Sequence, residues 1–105
     1  MKTNSEEERD RVTNRLLELA GIDWQTRAEI LCLQFYSNIG FVGALFEDAR
    51  DFCEQQGLYA RSSHVWGALC LSLSTKNKIV KTGAYQRSIV LRNRARSQPV
   101  WRINR

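Results

Sequence analysis

The chain has 105 residues, 43% of them hydrophobic, and its 16 Lys and Arg residues against 11 Asp and Glu residues give a net charge of +5. This length fits one domain with a single core and excludes a deep active-site cleft, while the hydrophobic fraction excludes a disordered chain. No apolar run approaches the roughly 20 residues that a bilayer requires, and the polar N-terminus lacks a signal-peptide core, so we expect a cytoplasmic protein without membrane contact.

The first predicted helix occupies most of residues 1–21. Ser5 and Glu8 have the spacing of a capping box, and a narrow apolar stripe follows until Gly21. Such a stripe either covers the edge of the core or pairs with its own copy. We expect it to pack within a monomer, and a dimer formed through this helix is the alternative.

Two further helices follow in the acidic half of the chain. The second begins near Asp23 or Thr26 and keeps helical apolar spacing until Gly40. The third carries apolar residues at i, i+3, i+4 spacing from Phe41 to Cys53, and a glycine at position 57 is placed to end it. The stripe predicts one continuous helix whose apolar side is core.

The fourth helix begins at Ser62 or Ser63, either of which is a suitable N-cap, and extends to about Thr75. At 100° per residue its two sides differ in chemistry. The predicted core side contains Val65, Trp66, Leu69, Cys70 and Leu73. The other side is mostly small and contains His64, Gly67, Ala68, Leu71, Ser74 and Thr75.

Beyond residue 77 the pattern changes to that of β-strands. Ile79 begins a β-branched and aromatic stretch with a possible bulge at Gly83, and Pro99 to Ile103 form a second strand. Residues 86–98, the basic wing, lie between them and hold four of the arginines. An antiparallel hairpin with a long basic loop is the interpretation we adopt.

The charges are strongly divided along the chain. All 11 carboxylates lie at or before Glu54, where six cations leave a net charge of −5, and the ten cations beyond Glu54 contribute +10. A fold requires no such asymmetry, whereas a polyanion is attracted to a surface of one sign. We therefore expect an anionic partner, and a merely solvated basic surface is the alternative.

The order of these elements predicts a mostly α fold with a C-terminal β-hairpin: a winged helix-turn-helix with an extra N-terminal helix. Residues 1–105 form a single domain, with a winged-helix core over 22–105. The fourth helix contains W-G-A-L at 66–69, and the last strand contains V-W-R at 100–102. In this order and spacing they resemble a group of small phage-encoded winged-helix proteins, over residues 26–102. The resemblance implies duplex nucleic acid as partner and a phage or prophage setting.

In a winged helix the helix after the turn enters the major groove, while the wing lies along the flanking backbone or minor groove. The helix offers few base-reading side chains, so we expect phosphate contacts to predominate. The candidate nucleic-acid-binding residues are Arg61, Ser63, His64, Gly67, Ser74, Thr75, Lys76, Lys78, Lys81, Arg87, Arg92, Arg94 and Arg96. The predicted function is that of a DNA-binding phage or prophage regulator or accessory factor. The alternative is a protein-interaction module that binds an acidic surface of a host enzyme or repressor.

Signs of catalytic or cofactor chemistry are nearly absent from the sequence. There is one histidine, the three cysteines lack a C-x-x-C pair, and the glycines form no phosphate-binding loop. Each cysteine falls on or near an apolar helical face, which favours buried structural thiols. We predict no enzymatic activity, no metal and no cofactor.

Overall fold

The computed structural model describes residues 21–87 and 96–104, together with Arg11, Val12 and Arg15. Over this part the chain is mostly helical and ends in an antiparallel hairpin, as predicted. Its elements are α1 (Ile22–Ile39), a 3-10 turn (Gly40–Val42), α2 (Phe46–Gln55), α3 (Ser63–Thr75), β1 (Ile79–Arg87) and β2 (Ser97–Ile103). Within it no helix has the length and apolar character to cross a membrane.

Most of the predicted N-terminal helix lies outside the described residues. Arg11, Val12 and Arg15 are helical and exposed. Of the later helices, α1 begins at Ile22, close to the predicted start, and Gly40 ends it with a positive φ of 70°. The fourth predicted helix corresponds to α3, and Ser62 is its N-cap because its hydroxyl accepts the His64 backbone N–H at 3.2 Å.

The third predicted helix is wrong at its start. Instead of one helix from Phe41, the chain forms the 3-10 turn and an extended stretch, and α2 begins only at Phe46. Ala44 pairs with Trp101 of β2 through backbone hydrogen bonds of 2.8 and 2.9 Å. Gly43, at φ 76°, lies so close to β2 that a Cβ would stand 2.5 Å from the Trp101 carbonyl oxygen. Phe41 and Val42 consequently leave the helical stripe and are exposed.

The hairpin is longer than the sequence indicates. Gln86 pairs with Gln98 and Arg87 with Ser97, so four residues that we assigned to the basic wing belong to the strands. All four side chains are polar, so apolar and polar residues do not alternate here as they do in a typical strand. Backbone hydrogen bonds alone extend the sheet, and they leave no pattern in the sequence. The predicted bulge is confirmed by a register irregularity between Lys81 and Tyr85, where Gly83 has φ 94°.

The core lies between the helices and the inner face of the hairpin. Its largest fully buried side chains are Tyr36, Leu69, Leu73, Ile79, Cys32 and Cys53. Trp24 packs edge-on against Trp66 with ring centres 5.0 Å apart, and its indole N–H donates to the Tyr59 carbonyl at 2.8 Å. Ala68, predicted on the open side of its helix, is buried in this core, because both α1 and β1 contact α3.

Candidate nucleic-acid interface

A groove of about 630 Å³ separates the N-terminal half of α3 from the start of β2, with α2 along one side. We call it the α3 groove. Its lining residues are Leu45, Phe46, Glu47, Arg50, Ser63, His64, Trp66, Gly67, Cys70, Arg96, Gln98, Pro99 and Trp101. It therefore joins four of the predicted site residues, three from α3 and one from the hairpin.

The first two turns of α3 supply the helical wall of the groove. The Ser62 cap satisfies one backbone N–H and leaves Ser63 and His64 exposed at the helix N-terminus. Gly67, one turn later, is exposed, and a Cβ built on it meets nothing within 4 Å. Because Gly67 has no side chain, a ligand can approach the helix backbone here more closely than elsewhere on this wall.

Among the described residues, two arginines, one histidine and one carboxylate line the groove. Arg96 is exposed and immediately precedes β2, and it lines the same groove as His64. Arg50 of α2 is held by Glu54 at 3.4 Å and lies 5.8 Å from the centre of the Trp66 ring. Glu47 is the carboxylate among the lining residues. The hairpin side thus contributes one cation, Arg96, while the α2 wall contributes charges of both signs.

The floor of the groove is aromatic and apolar. Trp66 and Trp101 line it, and both are largely buried in the core. The Trp66 indole nitrogen is itself buried and has no hydrogen-bond partner among the described residues. Cys70 is partly buried at this floor, and burial raises the pKa of its thiol to about 12. The thiol is therefore neutral at physiological pH and leaves the floor uncharged.

The C-terminal end of α3 lies apart from this groove. Thr75 donates its hydroxyl to the Leu71 carbonyl at 2.8 Å, so the side chain is engaged by its own helix. Lys76 forms an ion pair of 2.9 Å with Glu29 of α1. Ser74, Thr75, Lys76 and Lys78 do not line the α3 groove. The structure separates these predicted residues from those at the other end of the helix.

The remaining predicted cations that the structure describes do not line the α3 groove. Arg61 is exposed in the bend before α3, and Lys81 and Arg87 are exposed on β1. The Lys81 ammonium lies 5.8 Å from the centre of the ring of Trp101, one of the groove-lining residues. Arg92 and Arg94 lie outside the described residues.

Three residues near the site were missed in the sequence. Arg50 and Gln98 line the groove, and Tyr85 is exposed beside Pro99, its cross-strand partner. Arg50 lies among acidic residues on the helix face that the sequence predicts to be solvated. No local pattern therefore distinguishes it from an ordinary surface residue. The positions of Gln98 and Tyr85 near the groove depend on the register of the hairpin, which the sequence does not reveal.

A metal-binding cluster is not formed in the described part of the chain. Its His, Cys, Asp and Glu residues form no group able to hold a metal ion. Cys32 and Cys53 are buried with their sulfurs 3.7 Å apart, and their mutual hydrogen bond together with burial raises the pKa of Cys32 far above its usual value.

The chain matches no family model, and no curated protein or solved structure shows significant similarity to it.

Proposed function

We propose that this protein is a winged helix-turn-helix protein that binds duplex DNA with the α3 groove and the hairpin surface beside it. Three helices followed by an antiparallel hairpin support this layout, in which α3 is the helix that enters the major groove and the hairpin is the wing. The bridge between Ala44 and Trp101 supports it further, because it ties the chain before α2 to the wing.

One observation carries the proposal. Three exposed residues of α3, Ser63, His64 and Gly67, line a single groove with Arg96 of the hairpin, and every charged side chain of the chain beyond Glu54 is positive. Guanidinium groups suit phosphate oxygens, and backbone N–H groups at a helix N-terminus also attract anions. Phosphates that pass the groove therefore meet Arg96, Ser63 and His64 together.

The binding is mainly to the DNA backbone. Base recognition normally uses Arg, Lys, Asn or Gln on the helix that enters the major groove, and α3 presents Ser63, His64 and Gly67 there. Phosphate contacts fix position and affinity without reading sequence. We infer modest sequence preference and a role as a phage or prophage regulator or accessory factor, the setting that the W-G-A-L and V-W-R resemblance supports.

A second function is favoured by the composition of the groove floor. Phe46, Trp66, Pro99 and Trp101 give it an apolar character that a protein partner would fill. In that case the surrounding cations engage an acidic surface of a host enzyme or repressor. This function predicts that affinity depends on the apolar floor and only moderately on salt. Charges at the rim of a protein interface contribute little of its binding energy.

Two arginines of the hairpin provide a direct test of the DNA proposal. Arg96 lines the groove, whereas Arg102 is paired with Val80 on the opposite face and covers the Phe41 ring at 5.2 Å. We expect Arg96→Ala to weaken binding to a short labelled duplex roughly three- to tenfold in a fluorescence anisotropy titration, and Arg102→Ala to have a smaller effect. Equal effects would indicate attraction by overall charge without use of the groove.

A substitution of Glu47, the carboxylate that lines the groove, tests the same proposal with the opposite expected effect. Glu47→Gln removes a negative charge beside the proposed path of the phosphates, so duplex affinity should rise. A decrease in affinity at constant stability would contradict the assignment of this groove to a polyanion.

A further inference from the structure

The hairpin surface beside the α3 groove carries a row of three exposed side chains. Lys81 is paired with Trp101, Tyr85 with Pro99 and Arg87 with Ser97. Directly paired residues point to the same side of a sheet, and Trp101 and Pro99, two residues apart, both line the groove. Lys81, Tyr85 and Arg87 therefore share the groove side of β1 in spite of the bulge between the first two.

Tyr85 is the aromatic member of this row, and it is 60% exposed. The cations on either side, Lys81 and Arg87, are exposed as well. An exposed ring between two cations of one strand provides a flat surface for a planar group and positive charge for the phosphates on each side of it. The set has the chemistry of a nucleotide-stacking surface.

The stacking partner must be an unpaired nucleotide. In an intact duplex each base is covered above and below by its neighbours, so its face is closed to a side chain that rises from a strand. A base in a single-stranded tail adjoining the duplex has a free face and carries its own phosphates. A protein partner that bound Lys81, Tyr85 and Arg87 would need an acidic surface with an apolar or aromatic group at its centre. The test below distinguishes this alternative from a nucleotide.

We propose that Tyr85 stacks on an unpaired nucleotide next to the duplex held in the α3 groove, so that the protein prefers tailed or end-containing DNA to uninterrupted duplex. This inference rests on the proposed function, because the duplex positions the tail. The neighbouring Lys81 and Arg87 contact the phosphates on either side of the stacked base. The recognition is independent of sequence, since every base has a π face.

The test compares two probes with the full-length protein. One is a short blunt duplex, and the other is the same duplex with a single-stranded tail that carries 2-aminopurine. We expect the tailed probe to bind at least about fivefold more tightly, the lower end of the effect of one stacked base, and its 2-aminopurine fluorescence to be quenched on binding. Tyr85→Phe keeps the ring and should keep both effects.

Tyr85→Leu removes the π face at an exposed position and should abolish both the preference and the quenching. Tyr59→Leu is the matched control, because Tyr59 is 66% exposed and lies outside the groove. Retention of the tail preference in Tyr85→Leu, or equal binding of the two probes by the parent, overturns the stacking proposal while duplex binding stands. Absence of salt-sensitive binding to either probe removes the proposed function itself.

Discussion

Gly43 is the residue on which the path of the chain between α1 and α2 depends most directly. Its φ of 76° is unfavourable for other residues, and an added Cβ would stand 2.5 Å from the Trp101 carbonyl oxygen. We expect Gly43→Ala to lower the free energy of unfolding by about 3 kcal/mol or more, measured by urea denaturation. The matched change Gly67→Ala, in an exposed helix position with open space, should raise it by about 1 kcal/mol. Similar losses for both would show that Gly43 is not under this constraint.

The partly buried thiol of Cys70 makes the free energy of unfolding depend on pH in the alkaline range. Burial raises the pKa of Cys70 to about 12, above the value near 8.5 of a thiol in the unfolded chain. The unfolded chain therefore loses this proton first, so the contribution of Cys70 is complete below about pH 8.5 and declines toward pH 12. The buried phenol of Tyr36, whose pKa is raised chiefly by burial, acts in the same direction.

The expected result is a free energy of unfolding that falls as pH rises above about 9, by up to about 1.4 kcal/mol per pH unit for each such group. Urea denaturation at a series of pH values measures it. Cys70→Ala should fall less steeply than the parent over the same range. An equal slope for the two proteins would contradict the assignment to Cys70.

Among the elements, the cap of α3 gives the cleanest prediction. The Ser62 hydroxyl accepts the His64 N–H at 3.2 Å, whereas the neighbouring Ser63 is the first helical residue. Ser62→Ala should cost about 1 kcal/mol of stability, and Ser63→Ala should be close to neutral. Thermal denaturation of the two variants distinguishes these outcomes. The reverse order would place the cap at Ser63.

Local patterns predicted α1, α3 and the existence of the hairpin, because capping residues, glycines and a change of period mark them in the sequence. They did not predict where α2 begins. Phe41 and Val42 continue an apolar helical stripe, yet the backbone pairing of Ala44 with Trp101, 57 residues later in the chain, draws this segment into an extended path. A long-range hydrogen-bonded contact of this kind overrides local spacing and leaves no signal in it.

For the whole molecule, the division of charge can be predicted from the sequence, whereas the arrangement of the site can be predicted only in part. The groove unites Ser63, His64 and Gly67 with Arg96, all of which were candidates. The cations near the end of α3 lie elsewhere, and Lys76 is paired with Glu29. Which cations meet depends on how the hairpin closes against α3, and that follows from strand register, which composition does not contain.

The salt dependence of duplex binding measures how many phosphates the basic surface neutralises. With four to six phosphate contacts, the slope of log K against log salt concentration should be roughly −4 to −5. Replacing Arg92, Arg94 and Arg96 by Ala should make the slope shallower by about one unit for each lost contact. The control replaces Arg11, Arg15 and Arg27, three exposed arginines of the acidic half, and should leave the slope nearly unchanged. If the wing variant binds with the affinity and slope of the parent, the wing does not contact DNA and the protein-partner function replaces the proposed one.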